Sequence, residues 1–475
     1  ELRDILLGQR ELSFKNQKDC QFNTELNESQ QAAIRFALSA SDVAIIHGPP
    51  GTGKTTTIVE LICQAISKRQ KVLACAPSNT AVDNLLEKLV DAGQKAVRLG
   101  HPARVSERLH EHTLDAQVAR HELTDLIREM RREAENLFRQ AGKFTRAKPV
   151  HGAKREMRQD AKRLKADVRM LEQQAIDSII DNANVVCATT TLDESLLGDR
   201  RFDLVVIDEA CQSTEPGCWM PVLRADRLVL AGDHCQLPPT VLSKQAAKEG
   251  LEVSLLERLV GVYGDRVTRR LNVQYRMHDQ IMNFSSEQFY DGTLQSHGAV
   301  SGHVLTDLNY VDEQLVTIEP VTFIDSAGAG WDEEIEPDGL SKRNIQEAEL
   351  VLRKITELQD AGLRGRDIAV IAPYAAQVRW LRQNSPDERV EIDTVDGFQG
   401  REKEAVIISL VRSNPEGEIG FLADARRMNV ALTRARRKLI VIGDSATVGG
   451  NDFFAKLLEY FEFIGAYHTV WEERI

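Results

Sequence analysis

The chain has 475 residues, with 60 Lys and Arg against 72 Asp and Glu and a formal net charge of −12. That length holds two or three domains, and 42% hydrophobic with 28% charged residues is the balance of a soluble globular protein whose cores, at 5% aromatics, are aliphatic. No apolar run approaches the roughly eighteen residues of a membrane span, and the acidic balance excludes a uniformly basic nucleic-acid coat while allowing a local positive groove.

The first residues, ELRDILLGQREL, lack the layout of a signal peptide, and the chain opens at Glu1 rather than Met, as expected of an excerpt or a processed form. Short β-branched apolar runs then alternate with helical segments: VAII (43–46), KVLACA (71–76), ANVVCAT (183–189), FDLVVID (202–208) and DRLVLAG (226–232). A second group follows: VTFIDS (321–326), DIAVIAP (367–373), EAVIISLV (404–411) and KLIVIGD (438–444). Runs apolar on both faces predict parallel strands covered by helices on either side. The gap between the groups predicts an α/β fold of two doubly wound parallel-sheet domains, at 26–265 and 266–475, after an N-terminal segment 1–25.

Residues 102–180 interrupt this pattern with no strand signal. Leu123, Leu126, Ile127, Met130, Ala134 and Leu137 recur at helical spacing; Met157, Ala161, Leu164, Val168, Leu171 and Ala175 form a short heptad seam. The turn-rich GKFTRAKPVHG, with Gly142, Pro149 and Gly152, lies between them, so an inserted antiparallel helical hairpin is expected. Arg146 to Arg169 carries nine Lys or Arg against three Asp or Glu, which suits either a solvated helix face or a phosphate-contacting arm. The acidic stretch 327–338 reads as a mobile surface loop. The seven cysteines contain no C-x-x-C pair, so reduced, mostly buried thiols of a cytosolic-type compartment are expected, without a zinc or iron–sulfur site.

GPPGTGKT (48–55) follows an apolar run and precedes a helical pattern, the context that a phosphate-binding loop requires. Gly48, Pro50, Gly51, Thr52, Gly53, Lys54, Thr55 and Thr56 are the candidate nucleotide cradle. Gly51 and Gly53 let backbone N–H groups converge on phosphate, Lys54 neutralises charge, the Thr55 hydroxyl suits Mg²⁺, and the helix N-terminus adds its dipole. VVIDEACQS (205–213) ends an apolar run with Asp208, a second Mg²⁺ group, and Glu209, a candidate base for the attacking water. Phosphoryl transfer also needs positive charge from the far side, for which Arg276 in LNVQYRMH and Arg434 in NVALTRAR are candidates.

Taken in order, GPPGTGKT, DEACQ, GDHCQLPP, QYRMH, TVDGFQGRE and NVALTRAR resemble a superfamily 1 helicase. The forms are similar to the branch holding the nonsense-mediated-decay RNA helicase and the immunoglobulin-mu-binding-protein helicase. The resemblance runs from Leu26 to Asp444. It implies two tandem RecA-like domains, ATP and Mg²⁺ as ligands, and 5′-to-3′ movement on single-stranded DNA or RNA. It also implies a monomer with regulatory protein partners, cytoplasmic, or nuclear if eukaryotic. By the same resemblance Gln30 reads adenine, Tyr275 stacks on the base, Gln236 touches the γ-phosphate, Arg276 and Arg434 are arginine fingers, and Gly400 and Glu402 lie near the sugar and phosphates. The nucleic-acid track is expected at Pro77, Ser78, Asn79, Thr80, Thr189 and Thr190 in the first domain, and at Pro373, Tyr374, Thr394, Val395 and Asp396 in the second. Relatives carry a β-barrel on a helical stalk before the adenine-reading Gln; here ELRDILLGQREL stands as a stalk remnant. An ATP-gated clamp that remodels ribonucleoprotein without strand separation is the alternative function.

Overall fold

A computed structural model describes residues 2–16, 20–22, 25–142, 153–337, 339 and 341–473 of the chain. Two parallel sheets organise it. The first comprises β1 (Val43–His47), β2 (Val72–Ala76), β3 (Ala96–Arg98), β4 (Val185–Thr189), β5 (Leu204–Ile207), β6 (Leu228–Gly232) and β7 (Thr268–Arg270), in the order β3-β4-β2-β5-β6-β1-β7. A small ladder, β8 (Val273–Gln274) with β9 (Gln295–Ser296), leads to the second sheet. That sheet takes β10 (Val321–Asp325); then, after the hairpin β11 (Glu334–Ile335) and β12 (Lys342–Arg343), it takes β13 (Ile368–Ala372), β14 (Glu391–Thr394), β15 (Lys403–Ser409), β16 (Ala435–Gly443) and β17 (Tyr467–Thr469). Their order is β14-β13-β15-β16-β10-β17.

Alternate residues of each strand enter opposite cores, the period-2 consequence of the pleat. In β1, Val43 and Ile45 join one cluster while Ala44 and Ile46 join the other; in β13, Ala369 and Ile371 oppose Ile368 and Val370. Helices therefore cover both faces of both sheets. The first sheet extends to Arg270, past residue 265 where the sequence suggested the boundary, because β7 pairs in parallel with β1 (Ile45 with Thr268). Its sequence, Thr-Arg-Arg, carries no apolar run that would announce a strand.

The insert leaves the first domain after β3. It contains two long helices, Thr124–Gly142 and Ala153–Asn182. Ile127 and Ala134 on one, with Ala161, Val168 and Ala175 on the other, are buried, while Leu126 is exposed. Lys165 Nζ lies 4.6 Å from the Phe138 ring centre, and Arg131 pairs with Glu172 across the hairpin. Residues 143–152, which hold most of the expected turn together with Arg146, Pro149 and Gly152, lie outside the described residues. The N-terminal segment forms a helix, Leu2–Leu6, whose Ile5 and Leu6 enter the first core. The Tyr263 hydroxyl donates to Ile5 O at 2.7 Å and ties that helix to the domain. The acidic stretch is not wholly a surface loop: Glu333 turns inward, accepting from Arg412 Nε at 2.6 Å and pairing with Lys342. Five of the seven cysteines, Cys63, Cys75, Cys187, Cys211 and Cys218, are buried thiols.

Candidate functional site

In both sheets the strands run parallel, so their C-terminal ends share one edge, where ligands of such folds bind. At that edge of the first sheet β6 lies between β1 and β5. The phosphate loop after β1, the 233–236 segment after β6 and the acidic pair after β5 are therefore neighbours. Gly51 and Gly53 have φ of 74° and 73°, the left-handed conformation that glycine adopts without cost. A Cβ on Gly51 would stand 2.7 Å from Arg276 Cβ, so the second-domain side closes directly on this loop. The Tyr275 N–H donates to Gly51 O at 2.8 Å, fixing that approach.

A cleft of about 340 Å³ results, lined from the first domain by residues 48–55, Asp208, Glu209 and Gln236, and from across by Tyr275, Arg276, Gln399, Gly400, Glu402 and Arg434. Lys54 Nζ stands 3.4 Å from Asp208 Oδ1 and 2.6 Å from Glu209 Oε1. Burial lowers the proton affinity of the ammonium, but Glu209 and Asp208 outweigh it and raise it well above the lysine range. Burial raises the Asp208 carboxyl; Lys54 opposes this and Glu209 adds to it. Glu209 has a left-handed φ of 51°, uncommon for a residue with a side chain, and this backbone turns its carboxylate into the cleft. Gln212 Nε2 donates to Glu209 Oε2 at 2.9 Å and steadies it.

The far wall is a guanidinium cluster. Arg276 pairs with Glu402 and donates from Nη1 to Thr433 O at 3.0 Å. Glu402 also accepts from Arg436 Nε at 3.0 Å; burial would raise this carboxyl, but Arg276 and Arg436 hold it at about 2. Arg434 is buried, donating from Nε to Val430 O at 2.8 Å and from Nη2 to Gln236 Oε1 at 3.2 Å. Burial, then Arg276, lower its guanidinium to about 9, which leaves it charged at neutral pH. Gln236 thus joins the domains: its Nε2 donates to Asp233 Oδ2 at 2.7 Å while its Oε1 accepts from Arg434.

Hard oxygen donors at Thr55 and Asp208, beside a glycine loop and Lys54, fit a Mg²⁺–triphosphate. His47, Asp233, His234 and Cys235 offer ligand-type atoms within 4.8 Å of one another just behind this cleft. The Asp233 carboxylate there already accepts from Cys235 N, Gln236 and Tyr290 and lies 2.9 Å from His47 Nε2, so the group forms a hydrogen-bonded hub rather than an ion cage.

Two expected nucleotide residues sit differently from the rest. Gln30 is buried beside the loop, with Nε2 donating to Thr52 O at 3.0 Å and Oε1 accepting from Asn27 N at 3.0 Å, and it does not line the cleft. Thr56, the third residue of the helix Lys54–Ser67, lies beyond the lining. Tyr275 lines the cleft, with its ring stacked on His297 at 4.7 Å between centroids and the residue 41% exposed. Asn84 and Lys88, one turn apart on helix Asn79–Asp91, also line the cleft. Their only sequence signal is i, i+4 spacing on a helix that starts at a strand end.

The expected nucleic-acid residues gather at the same sheet edges. Register pairs Ala76 with Thr189 and Ala372 with Thr394, which sets the 77–80 turn beside Thr189 and Thr190, and Pro373 and Tyr374 beside Thr394, Val395 and Asp396. Several of these groups also hold local structure: Ser78 Oγ caps its helix, Asn79 Oδ1 accepts from Arg98, and the Tyr374 hydroxyl accepts from Arg412. Phe421, 58% exposed, stands beside Tyr374 under the Arg427 guanidinium on the same lip. A lone aromatic in the short 3-10 turn Gly420–Ala423 carries no sequence signal that would single out Phe421.

Two AAA-domain family models match residues 25–244 and 251–446. The chain is 47% identical over 458 residues to the DNA-binding protein SMUBP-2 of Mesocricetus auratus, covering 95% of this chain and 46% of that protein. It is 41% identical to the DNA polymerase alpha-associated DNA helicase A of Schizosaccharomyces pombe (93% of this chain, 67% of the relative). It is 38% identical to the Regulator of nonsense transcripts 1 homolog of Neurospora crassa (92% and 39%). The chain thus spans about half the length of the first of these relatives. With the paired sheets, the shared cleft and these relatives together, the chain belongs to the superfamily 1 helicases, in the branch that includes SMUBP-2 and the regulators of nonsense transcripts.

Proposed function

We propose that this chain is the motor core of an ATP-dependent helicase or translocase that hydrolyses ATP to ADP and phosphate and moves along single-stranded nucleic acid. The observation that carries the reading is the Gln236–Arg434 contact, 3.2 Å across the domain boundary at the phosphate end of the cleft. A group that senses the γ-phosphate and a cation that stabilises the transition state are then linked, so loss of phosphate alters how the domains meet. In this reading Thr55 and Asp208 would hold Mg²⁺, which would supply charge neutralisation at the phosphates. Lys54 shifts from the acidic pair to the triphosphate. Glu209 accepts the proton of the attacking water, and Arg276 and Arg434 meet the developing charge.

Single-stranded nucleic acid is assigned to the strand-end groups, where hydroxyls, amides and backbone N–H groups suit phosphate and sugar without reading sequence. The names of the relatives support DNA binding for one of them and a DNA helicase for another. Single-stranded DNA is accordingly the first substrate to test, with RNA beside it, and 5′-to-3′ movement as a monomer is proposed. The test is steady-state ATP hydrolysis by wild type and Lys54→Ala with matched single-stranded DNA and RNA, followed by duplex displacement. Stimulation by a single strand in wild type alone, with displacement, is the expected result. Hydrolysis unaffected by any strand overturns the reading; stimulation without displacement replaces it with an ATP-gated clamp.

A further inference from the structure

Behind the cleft lie three buried polar groups, Asp233, Tyr290 and Asn429, that the nucleotide and nucleic-acid readings leave unused and that connect Gln236 to the helix before Arg434. The connection begins at Asp233, fully buried at the end of β6. Asp233 Oδ2 accepts from two groups: Gln236 Nε2 at 2.7 Å and the Tyr290 hydroxyl at 2.7 Å. The Tyr290 hydroxyl accepts in turn from Asn429 Nδ2 at 2.9 Å, and the same Nδ2 donates to Cys235 O at 2.9 Å. Asn429 lies on the helix Ala425–Leu432, just before Arg434, and Arg434 returns to Gln236. The ring Gln236–Asp233–Tyr290–Asn429–Arg434 therefore joins both domains twice, once at the phosphate end of the cleft and once beneath it.

Three features mark this ring as more than packing. Tyr290 and Asn429 both have 0% exposure, so each hydrogen bond there is made in a low-dielectric interior, where its geometry matters most. Asn429 Oδ1 is buried with no partner among the described residues, an arrangement that stability alone disfavours. Cys235 and Leu237, which flank Gln236, pack into the core that surrounds the second sheet, so the segment carrying the γ-phosphate group is seated in the opposite domain.

We propose that Tyr290 and Asn429 are positioning residues: through Asp233 they hold the Gln236 amide at the phosphate end of the cleft and tie it to the helix that delivers Arg434. The Tyr290 hydroxyl and the Gln236 amide share Asp233 Oδ2, while Oδ1 is held by His47 Nε2 and Cys235 N–H, so loss of the hydroxyl leaves the carboxylate anchored through Oδ1 but loosens Oδ2 and the amide that rests on it. Nucleotide binding, made by the loop 48–55, is untouched. The inference rests on the reading of Gln236 as the γ-phosphate contact.

The test is a double-mutant cycle with Tyr290→Phe and Gln236→Ala, read as kcat and KM for ATP in the presence of saturating single strand. Tyr290→Phe keeps the ring and removes only the hydroxyl. It is expected to lower kcat roughly tenfold, the scale of one lost hydrogen bond to a charged group, with KM changed less than about twofold. In the Gln236→Ala background the same change is expected to cost less than about twofold. A full tenfold loss in both backgrounds, a rise in KM that accounts for the loss, or an unchanged kcat in the single variant overturns the proposal. Gln236→Ala alone tests the underlying reading: if it is silent while Tyr290→Phe is not, the γ-phosphate assignment fails and the buried groups act elsewhere. Should Tyr290→Phe fail to fold, Asn429→Ser reads the same cycle from the other end of the hydroxyl.

Discussion

Lys54→Ala removes the cation that stands between Asp208 and Glu209, 3.4 Å and 2.6 Å away, with Asp208 almost wholly buried. Deleting one partner of a buried ion pair costs about 3–5 kcal/mol. Glu209 faces the open cleft and retains some water, so the lower figure applies, about 3 kcal/mol. For a domain of this size that is a fall of roughly 6–12 °C in the first melting transition without nucleotide. The pH dependence follows from the direction of the Asp208 shift, which burial raises and Lys54 opposes. Without Lys54 the folded-state value rises further. A carboxyl raised in the folded state contributes stability that is complete below its unfolded value and is lost as pH rises through the folded value. The variant's deficit is therefore larger at about pH 8 than at about pH 5, which is nearer the ordinary carboxyl range. Differential scanning fluorimetry of the nucleotide-free proteins at both pH values measures this. Equal melting of wild type and variant at both, or a deficit that grows on acidification, refutes the electrostatic account of the acidic pair.

Arg434→Lys is expected to lower kcat about as far as Arg434→Ala, roughly a thousandfold, with little change in KM, because an ammonium cannot span Val430 O and Gln236 Oε1 together; near-wild-type kinetics in the Lys variant contradict this. Glu347 is fully buried, accepts from Ser409 Oγ at 2.7 Å, and is raised by burial to about 7. Its contribution is complete below the ordinary Glu value and lost as pH rises through about 7, so the melting temperature of Glu347→Gln should fall less between about pH 5 and pH 8 than that of wild type. Parallel melting curves across that range count against it. Charge reversal of the exposed Arg155, Arg158 and Lys162 is expected to reduce the slope of log affinity against log salt by roughly two units if the hairpin touches phosphates; an unchanged slope makes it a solvated face.

The nine strands legible in the sequence are interior strands of the two sheets, buried on both faces and therefore written as unbroken apolar runs. The four that escaped notice in those sheets, β3, β7, β14 and β17, are their four edges. An edge strand has a partner on one side only and tolerates polar residues such as Thr268, Arg269 and Glu391, so periodicity does not reveal it. The phosphate loop and the acidic pair were legible because their chemistry forces residue types at fixed spacing. Gln30 was legible as a motif member, yet its amide is spent on Thr52 O and Asn27 N, a contact that no spacing encodes. The hub at Asp233 was invisible for the same reason: His47, Tyr290 and Asn429 come from distant parts of the chain and meet only through the order of the strands.

The central claim is that one nucleotide site is built by two domains that move when its terminal phosphate leaves. Resonance energy transfer between one dye on each domain, recorded with a non-hydrolysable ATP analogue and then with ADP, tests it most directly. The expected result is a closed, high-transfer state with the analogue that relaxes with ADP, and Arg434→Ala should abolish the difference. The same transfer efficiency in both nucleotide states, with each nucleotide bound, would contradict the claim.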